Sequence, residues 1–188
     1  MIYKVPKIET ERLVLKKEVT LDDYLKVNEF NYFYLYGIRG ELQYKKNDID
    51  RYKKYFLENE ESEYEDSIRW YIYLKDSNKI IGIVQAHKVN YEENNIELMI
   101  HIHPNYWKKG YAYETISSVI NYLFNELSFK EIVYTYDEGN EKSKRLAEKL
   151  GFEFQKEFIV DYEDGYFNKV KNIRNILTYE RYIELNKR

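Results

Sequence analysis

The chain's 188 residues suit one domain, 1–188, large enough to bury a real core, and no Pro/Gly/Ser-rich linker divides them. Thirty basic against 33 acidic side chains leave a formal charge of -3, so there is no overall electrostatic footprint for nucleic acid, although a local basic patch around Lys108 stays open. Zero cysteines exclude disulfides, thiolate metal ligands and a cysteine nucleophile. Met1 to Lys7 lacks an apolar leader core and no uncharged run is long enough to span a bilayer, so a soluble cytoplasmic protein without a membrane partner is expected.

Taken in order, Arg12 to Lys16 reads as a first strand. A capped helix follows, in which Thr20 precedes Asp22 and Asp23 and the apolar positions Tyr24, Leu25 and Val27. A second helical segment runs roughly from Asp48 to Asn59. Between them Asn31 to Gly37 is aromatic and irregular, and the acidic run Glu58 to Asp66 reads as exposed. Three strands, Ile68 to Leu74, Ile80 to Val89 and Ile96 to Ile102, are separated by short polar turns, which predicts an antiparallel meander.

The next stretch, His103-Pro104-Asn105-Tyr106-Trp107-Lys108-Lys109-Gly110-Tyr111-Ala112, joins an apolar strand to a long one-sided helix through a basic loop. The first amides of a helix lack carbonyl partners and lie at the positive end of its dipole, so a pyrophosphate gains several hydrogen bonds there. Lys108 and Lys109 add charge, Gly110 lets the main chain come close, and Tyr111, Ala112 and Tyr113 open the helix. The pattern points to a nucleotide-type ligand. Ala112, Ile116, Val119, Ile120, Leu123 and Leu127 then mark one helical face. Ile132 to Tyr136 is a strand reached by that crossover, so it runs parallel to its predecessor. Asn140 to Leu150 forms another helix, with Ser143, Leu146, Ala147 and Leu150 on one side and Gly151 as C-cap. Phe152 to Tyr162 and Asn168 to Thr178 close the chain as a hairpin around Glu163-Asp164-Gly165. The sum is a mixed α/β (α+β) sheet, largely antiparallel, with one parallel central pair and flanking helices.

This order of elements resembles the GNAT superfamily of acyl-CoA-dependent N-acetyltransferases over nearly the whole chain. The stretch from Glu97 to Ala112, followed by Glu114, resembles that family's fourth strand and its coenzyme A pyrophosphate loop, R/Q-x-x-G-x-G/A. Asn140 to Ser143 and Glu148 to Phe152 resemble its second motif, N-x-x-S with E-K-x-G-F. Glu9 to Leu15 resembles the T-x-R-L-x-L opening of the branch that modifies protein N-termini, ribosomal proteins included. Two positions depart from the pattern. Trp107 stands where the loop usually begins with Arg or Gln, and Lys108 where this branch often has Gly. The tyrosine that many members use to protonate the departing thiolate would fall at Ala147, while Ser143 matches a serine common in the branch.

The resemblance implies acetyl-CoA as co-substrate, no metal, and an amine acceptor, either a protein N-terminal α-amine or a small molecule. It also implies that amides around Ile100, His101 and Ile102 hold the thioester and pantetheine, with Trp107 to Tyr113 on the pyrophosphate. Acetyl transfer needs a neutral amine, donors for the developing oxyanion and a proton for the thiolate. Glu97, opening an apolar strand, reads as a base whose pKa partial burial raises, or else as a solvated strand end. Ser143 reads as a partner of the sulfur or as a capping residue, and Asn140 as part of the same site or as an N-cap.

His101 and His103 share strand parity, and with His87 they raise a three-histidine metal site against the commoner structural role. His101 also matches the parity of Glu97 as a reserve base. Tyr32 to Tyr36 would border the acceptor groove by analogy, or else pack helices on the sheet. Direct transfer in a ternary complex is therefore the expectation. An antibiotic-modifying enzyme and a catalytically idle acyl-CoA-binding module or sensor are the alternatives, and the reading leaves room for a homodimer.

Overall fold

The computed structural model describes residues 5–27, 50, 53–54, 56–57, 67–161 and 169–187. The aromatic segment 32–36, the acidic run 58–66 and the turn 163–165 lie outside them. The described strands are β1 (Ile8–Glu9), β2 (Leu13–Lys16), β3 (Ile68–Leu74), β4 (Ile80–Asn90), β5 (Asn95–Ile102), β6 (Glu131–Asp137), β7 (Glu153–Val160) and β8 (Val170–Thr178). They form one sheet in the order β1-β2-β3-β4-β5-β6-β8-β7. β5 pairs in parallel with β6, from Asn95↔Glu131 to Leu98↔Tyr134, as the crossover between them predicts.

The helices are α1 (residues 21–27), α2 (described at 53–54 and 56–57), α3 (Tyr111–Asn125), α4 (Glu141–Leu150) and α5 (Tyr179–Asn186). No described helix is long and apolar enough to cross a membrane. The chain gathers into two compact units, residues 1–85 with 100–115 and residues 86–99 with 116–188.

In the first unit Thr20 caps α1 by accepting from Asp23 N at 3.2 Å. That helix lays Tyr24 and Val27 on Tyr71, Tyr73, Ile80 and Ile83, with Phe56 of α2 at 5.0 Å ring to ring from Tyr24. The near-continuous burial of Ile80 to Val84 follows from a strand covered on both faces. In the second unit Ile116, Val119, Ile120 and Leu123 form the buried face of α3, at the three- and four-residue spacing that predicted it. Asn140 caps α4 by accepting from Ser143 N, and Gly151 ends it at φ 86°, a left-handed conformation that glycine adopts without a Cβ clash.

Several details differ from the pattern reading. β1 is two residues long, too short for alternation to reveal, and pairs Ile8 with Leu15. The C-terminal strands do not end the chain. Thr178 accepts from Arg181 N and starts α5, whose Tyr179 and Tyr182 pack on Phe124 at 5.6 and 5.1 Å. β8 lies between β6 and β7, and the loop after β5 contains a 3-10 turn at Pro104–Tyr106.

Candidate functional site

The basic loop is built from its two ends. On the strand side, Trp107 Nε1 donates to Ile102 O at 2.6 Å and His103 N donates to Ile81 O at 2.8 Å, which ties the loop back to the end of β5. On the helix side, the α3 ladder begins with Glu114 N donating to Gly110 O at 3.0 Å, and the amides ahead of it project from the helix end. Lys108 at φ 60° and Gly110 at φ 83°, two positions apart, bend the chain into left-handed conformations. Such bends turn successive amides inward and form an anion-binding concavity. The Lys108 and Lys109 side chains are exposed, with Lys109 Nζ 5.3 Å from the Tyr106 ring centre.

What holds this loop is a residue group whose connection pattern reading missed. The turn between β1 and β2 docks on the first turn of α3. Glu114 accepts from Thr10 Oγ1 at 2.6 Å, from Arg12 N at 2.9 Å and from Arg12 Nε at 2.7 Å. Arg12 Nη2 lies 2.6 Å from the same carboxylate, and Nη1 donates to the Lys109 carbonyl at 2.9 Å. The Arg12 guanidinium also sits 4.6 Å from the Tyr111 ring centre. Burial pushes the Glu114 carboxyl up, but these hydrogen bonds and the Arg12 charge outweigh it and hold it below the ordinary carboxylate value. Thr10, Arg12 and Glu114 all lie in the stretches that carry the family resemblance. Their partnership spans about a hundred residues, beyond the reach of any periodicity.

The histidines separate. β5 ends at Ile102, so His103 leaves the strand and its Nδ1 accepts from Asn105 N at 3.1 Å, capping the 3-10 turn. His101 stays on β5 and is buried. Burial pushes its imidazole down to about 4, leaving it neutral at pH 7. Among the described residues no three His, Asp or Glu side chains gather as metal ligands. The β5–β6 register stops at Leu98↔Tyr134, and Ile100, His101 and Ile102 continue β5 beyond it.

In the second unit, Glu97 is not a solvated strand end: its side chain is 14% exposed and lies 3.1 Å from Lys88 Nζ. Lys88 itself sits at φ 52° within β4, a strained conformation for a residue with a Cβ. Both side chains line a cavity of about 560 Å³ with Glu93, Gln155, Lys156 and Arg174. Asn140 and Ser143 stand together at the start of α4 through the cap, and Tyr134 of β6 places its hydroxyl 3.5 Å from Ser143 Oγ. Ala147, where a tyrosine would be expected by resemblance, is buried. Tyr134 is a hydroxyl near Ser143 that sequence reading did not select, because its strand alternation marks it only as core.

The loop pinned at the start of α3 and the β5 residues that run past the end of the β5–β6 ladder lie in the stretches that carry the family resemblance. Residues 20–153 match the acetyltransferase (GNAT) domain family, and the chain belongs to it. It is 35% identical over 101 residues to an uncharacterized N-acetyltransferase, YoaA, of Bacillus subtilis, covering 52% of this chain and 56% of the relative. The chain spans about half the length of the curated relatives it matches. Among solved structures, a GNAT-family acetyltransferase from Bacillus anthracis superposes with a TM-score of 0.73 at 22% identity, over 93% of this chain and 99% of that one. The spermidine/spermine N-acetyltransferase SpeG of Vibrio cholerae superposes with a TM-score of 0.72 at 19% identity, over 94% and 99%. These two likenesses show the fold.

Proposed function

We propose that the chain is an acetyl-CoA-dependent N-acetyltransferase that moves the acetyl group directly onto a primary amine within a ternary complex. The observation that carries this reading is the loop from Trp107 to Tyr113, held by Arg12 and Glu114 at the start of α3, where the first amides of a helix lack carbonyl partners and favour an anion. The pyrophosphate of coenzyme A fits that end, with Lys108 and Lys109 adding charge at its rim. Bound acetyl-CoA supplies the thioester carbonyl. Amides of Ile100 to Ile102 hold the pantetheine and polarise that carbonyl, and Glu97 accepts the proton that the amine sheds. Ser143, beside Asn140 and Tyr134, is the proton source for the thiolate in place of a tyrosine at residue 147. With no cysteine in the chain, direct transfer needs no acyl-enzyme.

The finer assignment, to the branch acting on protein N-termini, is supported by the opening Glu9 to Leu15 and by Ser143. The polyamine acceptors in the names of a spermidine N(1)-acetyltransferase from Escherichia coli and of SpeG represent the competing class. A homodimer belongs to the same reading, with Phe154 and Ile159, 64% and 65% exposed on the edge strand β7, as the surface for it. Incubation with acetyl-CoA and a panel of peptides, polyamines and aminoglycosides, followed by free thiol, tests the activity. Thiol release that requires an amine supports it. Tight acetyl-CoA binding without release for any acceptor favours an idle acyl-CoA module. Gly110→Asp crowds Arg12 and repels phosphate, so it abolishes saturable acetyl-CoA binding if the loop is the site.

A further inference from the structure

The cavity beside Glu97 holds an unequal set of charges, and the inequality speaks to the acceptor. Three cations, Lys88, Lys156 and Arg174, line it against two carboxylates, Glu93 and Glu97. Glu97 Oε2 is paired with Lys88 Nζ at 3.1 Å, whereas Glu93 Oε2 accepts from the neutral Asn95 Nδ2 at 2.8 Å, which fixes it without cancelling its charge. Arg174 is aimed by a neutral group, its Nε donating to Gln155 Oε1 at 2.7 Å, which fixes the plane of the guanidinium without cancelling its charge.

We propose that this cavity takes a small primary amine that also bears a carboxylate or phosphate, with the amine at Glu97 and the anion at Arg174 and Lys156. The inference rests on the acetyl-transfer reading above and, within it, favours a small-molecule acceptor over a protein N-terminus. Glu97 lies opposite Val133, which lies opposite Ile176, two residues from Arg174. Two strand spacings and two residues separate the Glu97 and Arg174 Cα atoms by about 12 Å, a span that the two side chains and a short bifunctional molecule fill. The cavity volume also suits a small ligand. A polyamine fits poorly here, because each further ammonium would be desolvated in a cavity whose cations outnumber its carboxylates.

The test is a matched series on the full chain with acetyl-CoA: ω-aminohexanoate, n-hexylamine and α,ω-diaminohexane, which share a chain length and differ only in the distal group. Phosphoethanolamine against ethanolamine separates phosphate from carboxylate as the preferred anion. We expect kcat/KM for the anionic member to exceed that of both others by about tenfold or more. Arg174→Gln should bring it to the hexylamine level, and Arg174→Glu should move the preference to the diamine. Preference for the diamine in the wild-type chain, or a ranking untouched by Arg174→Glu, overturns the inference while leaving acetyl transfer intact. If acetyl-CoA binds but no amine releases thiol, the acetyl-transfer reading fails. Calorimetric titration of ω-aminohexanoate against the diamine then decides the cavity, equal affinities counting against it.

Discussion

Arg12→Ala removes the side chain that joins the β1–β2 turn, the loop carbonyl of Lys109 and the first turn of α3. The guanidinium makes two contacts to Glu114, at 2.7 and 2.6 Å, and one to Lys109 O at 2.9 Å, while the Arg12 side chain stays 43% exposed. Exposure discounts each charge-assisted contact to about 0.5–0.7 kcal/mol, so the three together hold the loop by about 1.5–2 kcal/mol. If a loop in this geometry is what binds pyrophosphate, the cost appears as a rise in Kd for acetyl-CoA of about 10- to 30-fold. Arg12→Lys keeps the charge but loses the planar fork and should fall between the two. Calorimetric Kd for coenzyme A and for acetyl-CoA, with Tm measured in parallel, provides the assay. Glu114→Gln should cost less on top of Arg12→Ala than it does alone, since the two share only the guanidinium–carboxylate contacts, while the Thr10 hydroxyl and the Arg12 main-chain N keep their acceptor at residue 114. An Arg12→Ala chain that binds acetyl-CoA within about twofold of wild type while its Tm drops would show the network to serve stability alone, and the argument would fail.

Glu97→Gln should lower turnover by about 10²–10⁴-fold with acetyl-CoA affinity nearly unchanged, and full turnover across pH would remove Glu97 as the base. His101 gives a pH dependence of stability. Its folded pKa, pushed down by burial to about 4, lies below the ordinary value near 6.5, so the fold favours the neutral ring. That stability is fully present above pH ~6.5 and is lost as pH falls toward ~4, by about 3 kcal/mol in total. Urea midpoints over this range should fall for the wild type and stay flatter for His101→Gln; equal slopes would refute the assignment. Gly151→Ala should lower Tm, because its φ of 86° disfavours a Cβ and that Cβ would strike Leu185 of α5; about 2 kcal/mol or more is expected, about 1 kcal/mol would mean that α5 shifts freely and only the backbone strain remains, and no change would refute the reasoning.

How much of this was legible in the sequence follows from the range over which each interaction acts. The α3 face, the α4 caps at Asn140 and Gly151 and the strands from Ile68 to Ile102 are set by neighbours within a turn or a pleat, and periodicity exposes them. β1 and α5 escaped because two residues cannot show alternation and because α5 gains its place from Phe124, far away in sequence. His103 misled for a related reason. Its spacing from His101 suggests a shared face, but the strand ends at Ile102, ahead of Pro104, and the ring serves as a cap. The loop itself was readable from Lys108, Lys109 and Gly110.

The site chemistry divides along the same line. That Glu97 opens an apolar strand was visible, whereas its partner could not be inferred, since Lys88 reaches it from β4 through a left-handed residue that no local preference predicts. The same holds for Arg12 and Glu114, each a plain surface charge when read alone. A basic loop of this composition would bind phosphate weakly if it had first to be ordered, because the ordering entropy is charged against each ligand that arrives. Fixing Lys109 O and the start of α3 from a turn about a hundred residues earlier meets that cost during folding instead. The prediction for Arg12 therefore concerns affinity first and chemistry second: its loss should raise the Kd for acetyl-CoA while leaving kcat at saturation close to wild type, and a fall in kcat with Kd unchanged would assign the network to the reacting centre.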